Sequence, residues 1–257
     1  MPSRICRDGI SFLYAQEVPM KLPISPRLLA CAGFVAPGDR VADIGCDHGY
    51  LSIYLLTEGK ARSVIASDIN EMPLMSAVKN AEKYGVSDRM EFYLSDGVRS
   101  IPRDFDCMIC AGMGGDTMVS ILEAAPWLQS SRYRLILQCQ SKTPLLRRYL
   151  SEHGWRIAEE TVLQDGKFLY TVMEACFEPD YPRLTEAECY FPPALLENPS
   201  KDVPAYYKWV SEGLRIAAAH NPGKQPVLAA LEALAQTEAL RWLGDVQKQE
   251  LKQEEQI

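Results

Sequence analysis

Asp47 and His48 stand in a glycine-containing turn, residues 45–49, that follows the apolar run VADI. An apolar run that ends in glycines predicts a strand whose loop comes close to a ligand, because glycine removes the side chain between backbone and ligand. A carboxylate in such a loop repels the pyrophosphate of a dinucleotide and attracts a cation, and an imidazole can exchange a proton. The turn alone predicts either a site for a ligand that carries positive charge or a purely structural loop.

Three further sets of residues favour a ligand site. Asp68 ends the run SVIASD, about 25 residues after Asp43, where a carboxylate can accept both hydroxyls of an adenosine ribose. Asp96 follows the next strand-like run and can accept the exocyclic amine of adenine. Residues 112–115, Gly-Met-Gly-Gly, end a fourth run. In a doubly wound sheet all of these lie at the carboxyl ends of the strands, where such sheets bind ligands.

The elements that must position these residues alternate along the chain. The predicted strands are residues 41–45, 63–67, 90–94, 106–111 and 133–139, and the predicted helices are residues 25–35, 49–58, 71–84, 115–128 and 143–153. This alternation predicts a parallel α/β sheet with helices on both faces. Residues 155–177 form two strand-like runs around an Asp-Gly turn, which predicts a β-hairpin. The hairpin argues against a dehydrogenase sheet, which continues with parallel units, and favours the methyltransferase variant of the Rossmann fold.

Together these motifs resemble the class I S-adenosylmethionine-dependent methyltransferases. More narrowly, DIGCDHGYLSIYL, SDGV, ICAGMGGDTM, RLILQCQS and QDGKFLYTV resemble the bacterial tRNA (adenine-22-N1)-methyltransferase family, usually called TrmK, over about residues 21–178. Two positions depart from the family pattern. Cys46 stands where the family more often has serine, and Cys139 and Gln140 stand where it more often has Pro-Asn, near the expected methyl-acceptor pocket.

The resemblance implies a Rossmann-like class I methyltransferase sheet closed by a β-hairpin, plus a C-terminal antiparallel helical hairpin. It also implies S-adenosylmethionine as cofactor, tRNA as partner, methyl transfer to N1 of an adenine, and no metal. The implied cofactor-binding residues are Asp43, Gly45, Asp47, Gly49, Asp68, Ile69, Asp96, Gly97, Gly112 and Met113. The implied substrate-binding residues are Tyr50, Met113, Gly114, Gly115, Gln138, Arg147 and Arg148. The implied catalytic residues are Asp47, His48 and Asp116.

Several of these residues have two interpretations. Asp43 and Asp47 suit the ammonium group and the sulfonium charge of the cofactor, while loop N–H groups would meet its carboxylate. His48 and Tyr50 fit a role in the methyl pocket and fit equally well a packing role at the start of a helix. At the level of function, two alternatives remain: a methyltransferase for a small metabolite or a protein, and a non-catalytic nucleotide-binding scaffold.

The domain organisation follows from a change in composition after residue 177. We expect residues 1–20 to be a tail, residues 21–180 the S-adenosylmethionine-binding domain, and residues 181–257 a linker and helical hairpin. The proline-rich linker predicts at most a short helical turn. Beyond it, apolar residues at helical spacing predict helices over residues 204–220 and 226–252. We expect this unit to grasp tRNA through scattered cations, which include Lys201, Lys208 and Arg215.

A formal net charge of −7 argues mildly against an obligate nucleic-acid binder, so RNA would have to meet a local basic patch. The candidate patch lies in residues 132–148 beside the expected pocket mouth and contains Arg132, Arg134, Lys142, Arg147 and Arg148. The same arginines equally fit a solvated helix face.

The eight cysteines include one C-x-x-C pair, Cys107 and Cys110, inside an apolar strand-like run. Side chains three apart on a strand point to opposite faces, so we expect two buried apolar groups and no zinc site. No apolar run reaches the length of a membrane span. We therefore expect a cytoplasmic protein, either a monomer or a weak homodimer.

Overall fold

A seven-stranded sheet forms the centre of the computed structural model, which describes residues 22–197 and 199–235. Its strands are β1 (Asp39–Ile44), β2 (Ala61–Asp68), β3 (Met90–Leu94), β4 (Cys107–Gly114), β5 (Arg134–Ser141), β6 (Trp155–Asp165) and β7 (Phe168–Phe177). The strand order is β3-β2-β1-β4-β5-β7-β6. Strands β1 to β5 are parallel, and β7 lies antiparallel between β5 and β6. This arrangement confirms the predicted methyltransferase sheet with its closing hairpin.

Helices cover both faces of this sheet. They are α1 (Pro26–Gly33), α2 (Tyr50–Thr57), α3 (Glu71–Lys83), α4 (Gly115–Glu123), α5 (Thr143–Glu152), α6 (Glu186–Tyr190), α7 (Ala194–Glu197), α8 (Val203–His220) and α9 (Gln225–Ala235). Met118 of α4 and Leu146 of α5 pack on one face, and Leu56 of α2 and Ala77 of α3 pack on the other. The central strands are apolar on both sides because both sides are covered.

Cys107 and Cys110 confirm the period-two geometry of β4. Cys107 belongs to the core on the α2 and α3 side of the sheet, and Cys110 belongs to the core on the α4 and α5 side. Burial raises the pKa of both thiols, so they are protonated apolar groups. Within residues 22–197 and 199–235, no cluster of three or more His, Cys, Asp or Glu side chains is arranged to hold a metal ion.

The predicted element boundaries needed small changes. The helix predicted over residues 115–128 ends at Glu123 and is followed by a 3-10 turn, Pro126–Leu128, because proline has no N–H to continue an α-helix. The hairpin turns at Gly166, whose φ of +61° suits glycine. In the described part of the chain, no helix combines the length and apolar character that a bilayer crossing requires.

The linker is more ordered than predicted. It contains two short helices, α6 and α7, where at most one helical turn was expected, and Thr185 and Glu188 cap the first of them reciprocally. Helices α8 and α9 pack together, and the Tyr207 hydroxyl donates to the Leu231 carbonyl at 3.3 Å. The rest of the second predicted helix, including Leu243 and Val246, lies outside the described residues.

These C-terminal helices pack on the β-hairpin rather than standing away from it. Their apolar faces share one buried cluster with Val162 of β6, to which α7 contributes Leu195, α8 contributes Tyr206 and Leu214, and α9 contributes Leu231. The cluster covers the outer strand of the sheet, so the C-terminal helices and the hairpin form a continuous core.

Candidate functional site

The carboxyl ends of β1 to β4 open into one cavity of about 510 Å³. Strand order places Asp96, Asp68, Gly45 and Gly112 one after another along this rim. Neighbouring strands lie about 4.8 Å apart, so four strand ends span about 14 Å, the scale of an extended nucleoside with a side arm. Eight of the residues predicted to bind cofactor line the cavity: Gly45, Asp47, Asp68, Ile69, Asp96, Gly97, Gly112 and Met113.

Asp68 is the most firmly fixed acid in this cavity. It is largely buried, its Oδ2 accepts the N–H of Asp47 at 3.2 Å, and its Oδ1 accepts the N–H of Asn70 at 2.8 Å. Each carboxylate oxygen has two lone pairs and therefore keeps one for a ligand hydroxyl. Asp47 adopts a φ of 51°, which is uncommon for a residue with a side chain, and its bond to Asp68 holds that conformation.

The N–H groups of the loop are largely used inside the protein. Gly45 and Cys46 both donate to the Ser67 carbonyl, at 2.8 and 2.9 Å, and Asp47 donates to Asp68. These three N–H groups therefore already have acceptors inside the protein, whereas we expected loop N–H groups to meet a ligand carboxylate. Gly45 is required for another reason: its φ is +72°, and a Cβ there would lie 2.3 Å from the Met113 methyl group.

Two arginines line the cavity: Arg99, which pairs with Asp96 at 3.1 Å, and Arg27 of α1, which was missed in the sequence. Nη1 of Arg27 donates to Oε1 of Gln138 at 2.9 Å, and the same oxygen accepts the Gly112 N–H at 3.0 Å. Gln138 is fully buried, so this residue, predicted to touch substrate, instead orients Arg27 and the end of β4. A fixed guanidinium is suited to bind a carboxylate.

Asp43 lies beneath the cavity rather than in its wall. Its carboxylate is buried and accepts a hydrogen bond from Ser52 Oγ at 2.6 Å, which ties β1 to α2. Burial raises the pKa of Asp43 to about 6, opposed by the Ser52 hydrogen bond and assisted by the negative charge of Asp68. Asp43, expected to serve the ammonium group of the ligand directly or through water, does not line the cavity.

We expect Asp43→Asn to change how stability depends on pH. Because the pKa of Asp43 is higher in the folded protein than in the unfolded chain, its contribution is fully present below about pH 4 and is lost as pH rises through 6. Asparagine does not titrate, so Asp43→Asn does not lose this stability as pH rises. Urea unfolding should show its free energy of unfolding gaining about 2 kcal/mol on wild type between pH 4.5 and pH 7.5. A constant difference between the two proteins would contradict the assignment.

Three glycines predicted to bind ligand serve packing instead, and none of them lines the cavity. A Cβ on Gly49 would lie 2.9 Å from the Cβ of Ala77, so this glycine lets α2 start against α3. A Cβ on Gly115 would lie 2.7 Å from the Lys142 carbonyl, and one on Gly114 would lie 3.0 Å from a serine hydroxyl. Both allow α4 to start against the loop after β5.

Among the three catalytic candidates, only Asp47 lines the cavity. His48 lies beside it, with Nε2 3.6 Å from Asp47 Oδ1, and stacks loosely on Tyr50 at a ring separation of 6.1 Å. The His48 side chain is about half exposed and precedes α2, which begins at Tyr50. Asp116 is exposed at the start of α4 and forms an ion pair with Lys142 at 2.5 Å.

The predicted basic patch does not exist as one surface. Arg147 is completely buried, and Arg148 pairs with Glu186. Arg134 starts β5, at the edge of the sheet opposite the cavity, and pairs there with Asp39 and Glu174. These arginines are close in the chain, which suggested one patch. In the structure the length of strand β5 separates Arg134 from Arg147 and Arg148.

The comparisons with known proteins agree with this site. Residues 24–173 match the family model described as a methyltransferase domain. The Bacillus subtilis tRNA (adenine(22)-N(1))-methyltransferase is 33% identical over 156 residues, which are 60% of this chain and 66% of that protein. The aligned part thus spans just under two thirds of this curated relative.

Solved structures extend the similarity over more of the chain. A Streptococcus pneumoniae protein, described as a candidate tRNA (m1A22) methyltransferase, is 30% identical with a TM-score of 0.70, over 87% of this chain and 99% of that one. The same protein in complex with S-adenosyl-L-methionine is 29% identical with a TM-score of 0.73, over 84% and 99% of the two chains. The cavity, the closing hairpin and these similarities lead to one conclusion: the chain belongs to the methyltransferase-domain family and, within it, to the bacterial tRNA (adenine-22-N1)-methyltransferase family.

Proposed function

We propose that this chain transfers a methyl group from S-adenosylmethionine to N1 of an adenine in tRNA, at position 22 by family membership. The observation that carries the proposal is the order of groups along the cavity rim. Two acceptors, Asp96 and Asp68, stand at one end, the Gly45 turn stands in the middle, and the Arg27 guanidinium stands at the other end. That order matches an adenine, a ribose, a sulfonium and an amino acid carboxylate.

The residues present fit this cofactor. Asp96 would accept from the adenine amine, Asp68 from the ribose hydroxyls, and Arg27 would donate to the carboxylate. At Gly45, which has no side chain and a φ of +72°, the main chain would lie against the middle of the ligand. When bound, S-adenosylmethionine supplies an electrophilic methyl group. Because the ligand carries a cation at this point, the exposed Asp47 carboxylate is favourable where a phosphate ligand would be repelled.

The reaction requires little acid–base catalysis from the protein. Adenine N1 attacks through a lone pair, so no proton has to leave at that step, and the product base is cationic. The protein contributes by placing N1 in line with the methyl group and by stabilising the developing charge, for which Asp47 is the carboxylate at the cavity wall. N1 lies on the pairing edge of adenine, so the base must be unpaired or flipped to react.

The direct test is methyl transfer. The protein is incubated with labelled S-adenosylmethionine and unmodified bacterial tRNA, and the modified nucleoside is mapped by mass spectrometry. We expect one N1-methyladenosine at position 22 and no labelling of a tRNA with guanosine there. Transfer to a protein or a small metabolite but not to RNA would overturn the proposal, and binding of cofactor without transfer would favour a scaffold role.

We expect Arg27→Met to weaken S-adenosylhomocysteine binding about tenfold, because a hydrogen bond to a charged group contributes about 1.5–3 kcal/mol. Binding of 5′-methylthioadenosine, which lacks the amino acid end, should stay within twofold of wild type. Calorimetric titration of both ligands makes this comparison, and Arg27→Lys should give an intermediate loss. Equal losses for the two ligands would show that Arg27 supports the cavity rather than the carboxylate.

We further propose that the C-terminal helices contact tRNA. Lys201 and Lys208 are exposed there, and Arg215 pairs with Glu232 at 3.0 Å on the surface. Deleting residues 181–257 is a poor test, because the deletion would uncover Val162 and Leu169 in the shared core. Replacing Lys201 and Lys208 with glutamine is cleaner: tRNA affinity should fall and become less sensitive to salt, while cofactor affinity should not change.

A further inference from the structure

A second cavity, of about 270 Å³, lies between the loop after β5 and helix α8. We call it the seam pocket, because its walls come from both the sheet domain and the C-terminal helices. Residues 139–144 form one wall, Leu169 and Thr171 of β7 form the floor, and Tyr206, Trp209 and Val210 of α8 form the other wall. None of the motifs assigned to the cofactor site accounts for this cavity.

The α8 wall presents a fixed aromatic surface. Trp209 and Tyr206 are tilted neighbours with ring centroids 5.8 Å apart. Tyr206 is held from behind, since its hydroxyl accepts a hydrogen bond from buried Arg147 at 3.1 Å. Trp209, in contrast, is 63% exposed even though it lines the pocket. A large aromatic side chain left in solvent beside a cavity offers a flat group a surface on which to stack.

The opposite side of the pocket is polar. Thr171 lines the pocket and is only 2% exposed, and its hydroxyl oxygen is buried without a hydrogen-bond partner among the described residues. A buried hydroxyl without a partner is costly, so this position favours a ligand that carries a donor or an acceptor. Helix α5 also begins at this pocket, at Thr143, directly after Lys142, which pairs with Asp116. An anion is favoured at such a helix start.

The seam pocket is separate from the cofactor cavity but adjacent to it. The two linings share no residue. Gln140 of the seam pocket comes within 3.6 Å of the Cβ position on Gly112, which lines the cofactor cavity. The two cavities therefore meet near Gly112 and Gln140.

We propose that the seam pocket binds an unstacked nucleotide of the RNA substrate, a neighbour of the acceptor adenosine. Its base stacks on Trp209 and bonds to the Thr171 hydroxyl, and its phosphate lies at the N-terminus of α5 near Lys142. This inference rests on the proposed function, since the nucleotide belongs to the RNA that is methylated. An apolar peptide side chain explains the aromatic wall but leaves the Thr171 hydroxyl unpaired and the N-terminus of α5 without an anion.

The test compares Trp209→Ala, Trp209→Phe and Thr171→Val in the full chain. Affinity for unmodified tRNA is measured with the cofactor cavity saturated by S-adenosylhomocysteine. Trp209→Ala should weaken RNA binding about tenfold, which is about 1.4 kcal/mol and within the range for one stacked base. Trp209→Phe should stay within about threefold. Thr171→Val should weaken RNA binding severalfold without lowering thermal stability, because the hydroxyl it removes has no partner in the free protein.

Kinetics give a second readout. If Trp209 holds RNA, Trp209→Ala should raise the KM for tRNA and leave the KM for S-adenosylmethionine unchanged. Unchanged tRNA affinity and KM in Trp209→Ala and Thr171→Val would overturn the proposal, and so would a change confined to self-association, which would assign the pocket to a protein partner.

If the wild-type protein methylates no RNA, the proposed function fails and the pocket is tested alone. Adenosine 5′-monophosphate is then titrated into the protein saturated with S-adenosylhomocysteine. Binding that Trp209→Ala abolishes supports a nucleotide pocket, whereas no binding, or binding that survives the substitution, overturns it.

Discussion

Replacing Asp68 with alanine is expected to weaken S-adenosylhomocysteine binding about 100-fold, or about 2.7 kcal/mol. Two effects act together. The ribose hydroxyls lose a charged acceptor, and each such hydrogen bond contributes about 1.5–3 kcal/mol. The loop also loses its anchor, because Asp68 accepts the N–H groups of Asp47 and Asn70 on either side of the cavity. Calorimetric titration measures the loss directly.

Two variants separate these effects from general damage. Asp68→Asn keeps the shape and one acceptor oxygen, so its loss should be intermediate. Asp104→Ala is the matched control, since Asp104 is an exposed acid that pairs with Arg40 at the opposite edge of the sheet. It should bind ligand as wild type does. If Asp68→Ala retained an affinity within threefold of wild type while keeping its thermal stability, Asp68 would not be the ribose acceptor.

The sequence predicted the sheet well because its signals are local. The central strands contain apolar runs covered on both faces, and the Asp-Gly turn at 165–166 marks the hairpin without reference to any distant residue. The two linker helices escaped prediction because they are only five and four residues long. Helix α6 depends on the capping pair of Thr185 and Glu188 and on packing against α5 and α9.

The candidate site likewise contains residues that local sequence signals predicted and one that they did not. Asp68, Asp96 and Gly112 were predictable because they end strands, and strand ends of a parallel sheet meet at one rim. Arg27 was not predictable, because its position in the cavity depends on Gln138, which is 111 residues away in the chain. The glycine pattern also did not distinguish ligand-binding from packing positions. Gly45 faces the cavity, whereas Gly49 allows α2 to pack closely against α3.

Arg147 is the clearest case of a misleading local signal. A run of cations without an acid suggests a surface for RNA, but the acid that neutralises Arg147 comes from β6. Glu160 receives two hydrogen bonds from the guanidinium, at 2.6 and 3.1 Å, and both residues are fully buried. Burial alone would lower the pKa of Arg147, but the Glu160 charge raises it above its usual value. The arginine is therefore a permanently charged structural group.

Replacing Arg147 with methionine is expected to lower the free energy of unfolding by about 3–5 kcal/mol, because it leaves the Glu160 carboxylate buried without a counter-charge. The loss should fall mainly on the C-terminal helices. Besides Glu160, the guanidinium donates to the carbonyls of Cys189 and Tyr190 and to the Tyr206 hydroxyl, and so joins α5 and β6 to α6 and α8. Urea unfolding measures the total loss, and limited proteolysis locates it.

The neighbouring arginine provides the control. Arg148→Met breaks a half-exposed pair with Glu186 and should cost less than about 1 kcal/mol. In the double variant Arg147→Met/Glu160→Met no buried charge remains, so at least half of the lost stability should return. Because Arg147 does not line the cofactor cavity, S-adenosylhomocysteine affinity should survive in Arg147→Met while tRNA affinity falls with the loosened seam pocket. A variant no less stable than Arg148→Met would show that the buried pair does not hold the C-terminal helices in place.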